Sequence, residues 1–371
     1  MTVYFPNAII LILCLVFGMN GCTKDPKGNA ADYWEHGGQN PKKPEDPVNP
    51  DEQWFKMIGI VAGWSDVGVP EQLDYVKIAK ESGINTFSIY NADRSSVAWK
   101  NFANRCKDAG IDLEFEEHMM SFLLPRDLFE THPEYFRMDK YGRRVKDANG
   151  CPSSKEGLAI VHKNAIDIGK RYHPTNNKYY FWLDDGGDVC HCPLCKDYND
   201  AEQALIFENE VIAALKEINT DAKLAHLCYA NTVEPPKKIK PHEDIFLEFA
   251  PFYRNWEQPL SSAWAKGRNG LTNGDYVRKL KEHLTVFPAE TAQVLEYWMD
   301  DSLYSNWDPN NLVKLPWKSA VFQSDIKTYA SMGIRNITCY SAYVGPSYLR
   351  KFGDVSFLTE YGQSLRDYRP K

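Results

Sequence analysis

The chain has 371 residues, and its 43 basic and 50 acidic side chains give a net charge of −7 with histidine counted as neutral. Apolar residues make up 43% and charged residues 25% of the sequence, a balance that excludes wholesale disorder. The acidic pI of about 5.8 indicates no basic surface, so we expect no nucleic-acid partner. The aromatic share of 13% is typical of a large core and of sites that bind sugars.

An apolar run comes first in the chain. Residues Ala8 to Phe17 are all apolar, a length too short for a membrane-spanning helix of about 20 residues and typical of the centre of a secretory signal. The following Met19-Asn20-Gly21-Cys22 resembles a bacterial lipobox, whose cysteine is lipidated. We therefore predict a lipoprotein signal peptide at residues 1–21 and an acyl anchor on Cys22. The protein would be held at the outer membrane of the cell envelope, facing the surface or the periplasm, with a plain secretory signal as the alternative.

A polar segment separates this signal from the rest of the chain. Prolines stand at positions 26, 41, 44, 47 and 50, and large aliphatic side chains are almost absent. Such a segment cannot bury enough surface to offset its chain entropy. We predict a flexible tether at residues 22–53 and one folded domain at residues 54–371, whose only contact with a membrane is the lipid anchor.

Strand-like runs then alternate with amphipathic helical patterns. Three junctions repeat, with Gly83, Gly110 and Gly333 each ending a helix before an isoleucine that leads into a strand. Regular alternation of this kind predicts parallel pairing, and eight units predict a (β/α)8 TIM-type barrel, with a doubly wound sheet as the alternative. The predicted strands are 57–63, 85–90, 111–117, 179–184, 224–230, 245–250, 292–298 and 335–340.

Side-chain alternation assigns the two faces of each predicted strand. We expect the apolar set to pack on helices and the polar set to face the barrel interior, near the strand C-termini where barrel enzymes place their active sites. In the seventh strand, for example, this puts Leu295 and Tyr297 outward. The expected inward side chains are Glu114, Glu116 and His118 of the third strand, Tyr180, Trp182 and Asp184 of the fourth, Glu248 of the sixth, and Glu296 and Trp298 of the seventh.

The fourth strand runs directly into Asp184 and Asp185, which two glycines follow. Paired carboxylates suit glycoside hydrolysis, in which one carboxyl group protonates the leaving oxygen and another supports the electron-poor sugar carbon. Like charges held close together also raise one pKa, which makes an acid usable near neutral pH. The alternative is that both residues only cap backbone amides in a turn.

Cys190, Cys192 and Cys195 form a C-x-C-x-x-C cluster just after these acids. Three thiolates could bind a structural zinc ion with Cys151 or His191 as a fourth ligand. A disulfide between two of the cysteines and free thiols are the alternatives. A bond of either kind would stiffen the loop beside the acids. We expect no cofactor for catalysis.

Three segments carry a family resemblance: His132-Pro133-Glu134-Tyr135-Phe136, Cys151-Pro152-Ser153-Ser154, and Asp185-Gly186-Gly187 with the cysteine cluster. In this order they resemble bacterial lipoproteins of the DUF4838 family, which is similar to the barrel domains of α-glucuronidases and β-hexosaminidases. The resemblance implies two schemes. In a hexosaminidase-like scheme, Asp184 orients the substrate and Asp185 is the general acid. In an inverting scheme, Glu248 or Glu296 supplies the base.

These observations predict a glycoside hydrolase that acts on an oligosaccharide or polysaccharide containing hexosaminides or uronic acids. A non-catalytic glycan-binding barrel is the alternative, and a zinc-dependent hydrolase using the cysteine cluster is a weaker one. The candidate catalytic residues are Asp184, Asp185, Glu248 and Glu296. The candidate substrate-binding residues are Trp64, Tyr90, Glu116, His118, Trp182, Tyr253, Trp298 and Tyr340.

Overall fold

The computed structural model describes residues 52–185 and 187–370. The predicted signal peptide, the lipidation site Cys22 and the tether as far as residue 51 lie outside these ranges. Within them, no helix combines the length and the apolar character that crossing a membrane requires.

Parallel strands form the wall of a barrel. Their order in the described part of the chain is β3-β2-β1-β9-β8-β7-β6-β5-β4, and each neighbouring pair is parallel. The strands are β1 (Met57–Gly63), β2 (Thr86–Tyr90), β3 (Asp112–Glu114), β4 (Glu116–His118), β5 (Lys178–Trp182), β6 (Lys223–Cys228), β7 (Ile245–Phe249), β8 (Gln293–Glu296) and β9 (Asn336–Tyr340).

The third predicted strand is present in two pieces, β3 and β4, separated by Phe115. β3 pairs with β2 and β4 pairs with β5, so the interrupted strand joins both of its neighbours. The amide N–H of Glu116 donates to Ser88 Oγ of β2 at 2.9 Å, so β4 is also bonded to β2 at the interruption. The predicted eight-unit barrel is therefore confirmed, and the doubly wound alternative is wrong.

Helices occupy most of the connections between strands. Gly83, Gly110 and Gly333 have φ values of +92°, +68° and +86°, as the predicted helix-terminating glycines require. The α-helices are α1 (Trp64–Val67), α2 (Tyr75–Ser82), α3 (Val97–Asp108), α4 (Met120–Leu123), α5 (Lys155–Arg171), α6 (Asp200–Lys216), α7 (Asn273–His283), α8 (Ser319–Ser331), α9 (Pro346–Phe352) and α10 (Ser356–Asp367). Short 3-10 helices span Arg126–Glu130, Pro133–Tyr135, Ala230–Val233 and Asp301–Leu303.

Buried side chains form two apolar layers. The outer layer, between strands and helices, includes Leu113, Phe181 and Leu247. The inner layer lies within the barrel and includes Tyr180 and Trp182 of β5, as the alternation predicts. The predicted faces of the third, fourth and sixth strands are thus confirmed as far as the strands themselves extend.

The predicted faces of the seventh strand are wrong. Leu295 and Tyr297 belong to the inner layer, whereas Glu296 accepts a 2.5 Å hydrogen bond from Tyr329 of α8, in the helical layer. Glu296 is also paired with Arg254, with Nε and Oε1 3.1 Å apart, and both side chains are fully buried. A charged residue can face outward here because the loop after β7 supplies a buried countercharge.

Candidate active site at the C-terminal end of the barrel

A cleft opens where β5 and β6 end. His118, Asp184, Asp185 and Tyr229 are among its lining residues, so the structure brings three of the predicted site residues together. The His118 ring is fixed by a 2.5 Å hydrogen bond from Nδ1 to the carbonyl oxygen of Leu183. This end of the barrel is the one at which barrel enzymes carry their active sites.

Asp184 is held in place by its neighbours. Its carboxylate pairs with the guanidinium group of Arg126, and its amide N–H donates to Asn149 Oδ1 at 2.9 Å. Because Arg126 occupies one carboxylate oxygen, Asp184 is better suited to fixing the turn than to transferring a proton.

Asp185 has a different environment. Its side chain is exposed, and it lies beside two tyrosines of the following loops. Burial raises the pKa of Tyr229, and the charge of Asp185 raises it further. Burial also raises the pKa of Tyr253, and the charge of Asp185 raises it further. Asp185 is therefore the acid of the pair that a ligand can reach.

Asp300, just after β8, is a second acid that the sequence analysis missed. It is fully buried, and its Oδ1 accepts hydrogen bonds from the amide and the hydroxyl group of Ser302, at 3.0 and 2.6 Å. Burial raises the pKa of Asp300 to about 7 although these bonds lower it. Its charge raises the pKa of Tyr229, as that of Asp185 does.

The sequence does contain a signal for Asp300. Trp298-Met299-Asp300-Asp301 repeats the pattern of Trp182-Leu183-Asp184-Asp185, and each tetrapeptide follows or ends a barrel strand. The two copies differ in the direction of their tryptophans, because Trp182 packs in the inner layer and Trp298 packs against the helices.

Aromatic side chains surround these acids. Tyr90 and Tyr340 stack with centroids 5.7 Å apart and planes at 3°, and Tyr229 and Tyr253 stack at 6.4 Å and 23°. With Trp182 they pack on the inner layer, so four of the predicted substrate-binding residues (Tyr90, Trp182, Tyr253 and Tyr340) lie in or at the mouth of the barrel. Flat, partly polar rings of this kind suit the faces of sugars.

Trp64 and Trp298 are not brought together with these four residues, and the predicted inward direction of Trp298 is wrong. Trp64 packs against Trp99 and Phe102 of α3, at centroid distances of 5.5 and 5.6 Å. Trp298 packs against Phe322 of α8 because the side-chain alternation of β8 directs it outward. Both rings belong to the helical layer.

Below the mouth, three glutamates share the barrel interior. Glu248 accepts a 2.8 Å hydrogen bond from Trp182 Nε1, and Glu114 accepts one of 2.9 Å from the hydroxyl group of Tyr180. Burial is the main cause that raises the pKa of each of these glutamates, and the pKa of Glu114 rises to about 7. Repulsion from the neighbouring glutamates raises the pKa of Glu116 and Glu248 further. These side chains are buried beneath Trp182, so Glu248 and Glu116 lack the direct access to the cleft that Asp185 has.

We expect the free energy of unfolding to fall as the pH rises from about 4.5 to about 7. Glu114 keeps its proton in the folded state up to about pH 7, whereas the unfolded chain releases it near the ordinary value of 4.5. Ionisation of the buried group then costs about 3 kcal/mol. Urea unfolding at several pH values should show a weaker pH dependence for Glu114→Gln than for the wild type. An exposed control, Glu290→Gln, should keep the wild-type slope, and equal slopes for all three proteins would contradict the prediction.

The predicted cysteine cluster is assembled in the structure. Cys151, Cys190, Cys192 and Cys195 are buried, and their Sγ atoms lie within 4.8 Å of one another. His191 is the other predicted candidate for the fourth metal ligand. Its Nε2 lies 3.3 Å from Asp188 Oδ1 instead. No disulfide is formed among the described cysteines.

The fold and the site define a (β/α)8 barrel protein with acids and aromatic rings at the strand C-termini. The family model described as "Domain of unknown function (DUF4838)" matches residues 59–363, and the chain belongs to this family. The predicted family resemblance is thus confirmed. No curated protein matches the sequence.

Several solved structures resemble the barrel. An O-GlcNAc hydrolase mutant of Thermobaculum terrenum has 11% identity and a TM-score of 0.46, and the match covers 84% of this chain and 63% of that one. A chitinase of Rhizomucor miehei has 11% identity and a TM-score of 0.47, covering 83% and 99%. A tri-modular endo-β-1,4-glucanase of Bacillus licheniformis has 11% identity and a TM-score of 0.46, covering 87% and 62%. The likeness extends to the fold and not to an activity.

Proposed function

We propose that the protein is a glycoside hydrolase that cleaves a glycan at the C-terminal end of the barrel. The observation that carries this proposal is the cleft at the strand C-termini, which Asp185 and Tyr229 line and where Tyr253 stacks on Tyr229. Asp300, which follows a different strand, is close enough for its charge to act on the same tyrosine. Glycoside hydrolysis needs two carboxyl groups on a sugar-binding surface. The glycan class, hexosaminide or uronic-acid-containing, belongs to the same proposal.

The two acids have distinct environments and receive distinct roles. Asp185 stands at the exposed mouth, where a leaving group departs to solvent, and we assign it the proton transfer to the glycosidic oxygen. Asp300 is buried, and its Oδ2 has no hydrogen-bond partner in the described part of the chain, so we assign this oxygen the support of the electron-poor sugar carbon, either directly or through a water molecule. Asp184 is a positioning residue, because Arg126 and Asn149 hold it and thereby fix the turn that carries Asp185.

Glu248 and Glu296 receive no catalytic role in this proposal. Both carboxylate oxygens of Glu248 accept hydrogen bonds, Oε2 from Trp182 at 2.8 Å and Oε1 from Gln293 at 3.4 Å, and Glu296 is paired with Arg254 in the helical layer. The base of the inverting scheme would therefore be Asp300.

A panel of aryl glycosides tests the function directly. It should include hexosaminides, glucuronides and neutral hexosides, and turnover by the full-length protein is measured from the released phenol. We expect turnover of at least one hexosaminide or uronide. Binding of the matching oligosaccharides by calorimetry without any turnover would indicate the glycan-binding alternative, and neither binding nor turnover would overturn the proposal. The lipid anchor on Cys22 and the outer-membrane location stay predictions, because that segment lies outside the described residues.

A further inference from the structure

We propose that Cys151, Cys190, Cys192 and Cys195 bind one zinc ion in a closed tetrahedral site. The Sγ atom of Cys151 lies 3.6 Å from that of Cys190 and 3.8 Å from those of Cys192 and Cys195. A tetrahedral ion with Zn–S bonds of about 2.3 Å places its sulfur atoms about 3.8 Å apart. A disulfide would need about 2.05 Å, so the spacing is that of ligands around a shared ion.

The surroundings of the cluster suit thiolate ligands. Four thiolates around a dication carry a net negative charge, which nearby donors must offset. The amide of Met138 donates to Cys190 Sγ at 3.3 Å, and a guanidinium nitrogen of Arg144 lies 3.9 Å from the same atom. The hydroxyl group of Ser153 contacts Cys195 Sγ at 2.8 Å. The set offers four sulfur ligands and all four are buried, so no position is left for water or a substrate, and the site is structural.

Zinc is the ion that this chemistry favours. Tetrahedral sulfur sites take zinc or iron, and at a given site Zn²⁺ binds more tightly than Fe²⁺. The inference does not rest on the proposed glycoside hydrolase function, because metal content is measured independently of activity.

The ion would tie two segments together beside the acids. Cys151 ends a segment that includes Asn149, whose side chain accepts the amide N–H of Asp184. The other three ligands lie on the loop that follows Asp185. Arg137 joins the same two segments through Asp147 and Asp188, at 2.6 and 3.2 Å. The zinc site would therefore brace the turn that carries Asp184 and Asp185.

The test is metal analysis of the full-length protein, purified without chelators and without added metal. We expect one zinc ion per chain, and we expect a mercurial reagent that modifies thiols to release it into a colorimetric indicator. Cys192→Ala and Cys195→Ala should lose the zinc and melt at a lower temperature. The matched control Cys106→Ala, which changes a buried cysteine of the outer layer, should keep it.

Three results would overturn the inference: iron with visible absorption in place of zinc, a disulfide within the cluster identified by mass spectrometry, or free thiols at all four cluster cysteines in a metal-free folded protein. If the alanine variants do not fold, release of zinc from the wild-type protein by the mercurial reagent still decides the question. Loss of glycosidase activity alone would not count in either direction, so failure here is distinguishable from failure of the proposed function.

Discussion

Asp185→Asn should lower kcat by about 100-fold or more on glycosides with poor leaving groups, because general acid catalysis contributes about 10²–10⁴-fold. Activated aryl glycosides need little protonation of the leaving group, so kcat should fall much less on these substrates. Asp300→Asn should instead lose about 100-fold or more on every leaving group, since it removes support for the sugar carbon. The measurement is kcat against the pKa of the leaving phenol for wild type and both variants.

Asp197→Asn is the matched control for these variants. Asp197 lies in the same loop, is exposed and is not among the residues that line the cleft. We expect near wild-type turnover for this variant. The two roles would be exchanged if the fall in kcat depended on the leaving group in Asp300→Asn and were the same for every leaving group in Asp185→Asn. Unchanged turnover in Asp185→Asn on all substrates would remove Asp185 from the mechanism.

The second large effect concerns stability. Arg254→Met should lower the free energy of unfolding by about 3–5 kcal/mol, because it leaves two buried carboxylates without a countercharge. Arg254 bonds Asp325 at 2.6 Å and Glu296 at 3.1 Å, and all three side chains are fully buried. Chemical denaturation measures the difference from wild type.

Arg278→Met provides the comparison for this substitution. Arg278 also pairs with two carboxylates, Asp275 and Glu282, but on an exposed face of α7. Exposed pairs contribute about 0–1 kcal/mol, so we expect a small change. If both variants lost the same free energy, the buried triad would not be the stabilising feature described above.

The strands of the barrel were predictable because each apolar run is bounded by clear signals. Glycines that need a positive φ marked the helix ends, and alternating apolar residues marked the outer face of β3, β5 and β7. Alternation separates two faces but does not say which one is inside. In β8 each face carries one polar and one apolar residue, with Gln293 and Leu295 facing inward. The countercharge that lets Glu296 face outward is Arg254, 42 residues earlier in the chain.

The site was predictable only in part for a related reason. Asp185 follows a long apolar strand that ends in an obvious turn. Cys151 was predictable as a fourth ligand because it is a cysteine, like the three residues of the C-x-C-x-x-C cluster. Asp300 lies beyond the end of β8, where side-chain alternation no longer assigns a direction. Its charge acts on tyrosines of other strands, such as Tyr90 and Tyr340, and no local pattern encodes that placement.

The interruption at Phe115 bears on whether a strand of another chain can pair with the barrel wall. A closed barrel has no free strand edges, whereas an edge with unpaired main-chain groups can add a strand from another chain. At the break between β3 and β4 these groups have partners, because the amide N–H of Thr175 donates to the carbonyl oxygen of Leu113 at 3.0 Å and Thr175 Oγ1 accepts the amide N–H of Leu113 at 2.8 Å. The guanidinium group of Arg94 lies beside the same break, 3.7 Å from the ring centroid of Phe115 and 4.0 Å from that of Tyr172. The barrel therefore offers no unpaired Leu113 main-chain group to a strand from another chain where its described strand ladder is discontinuous.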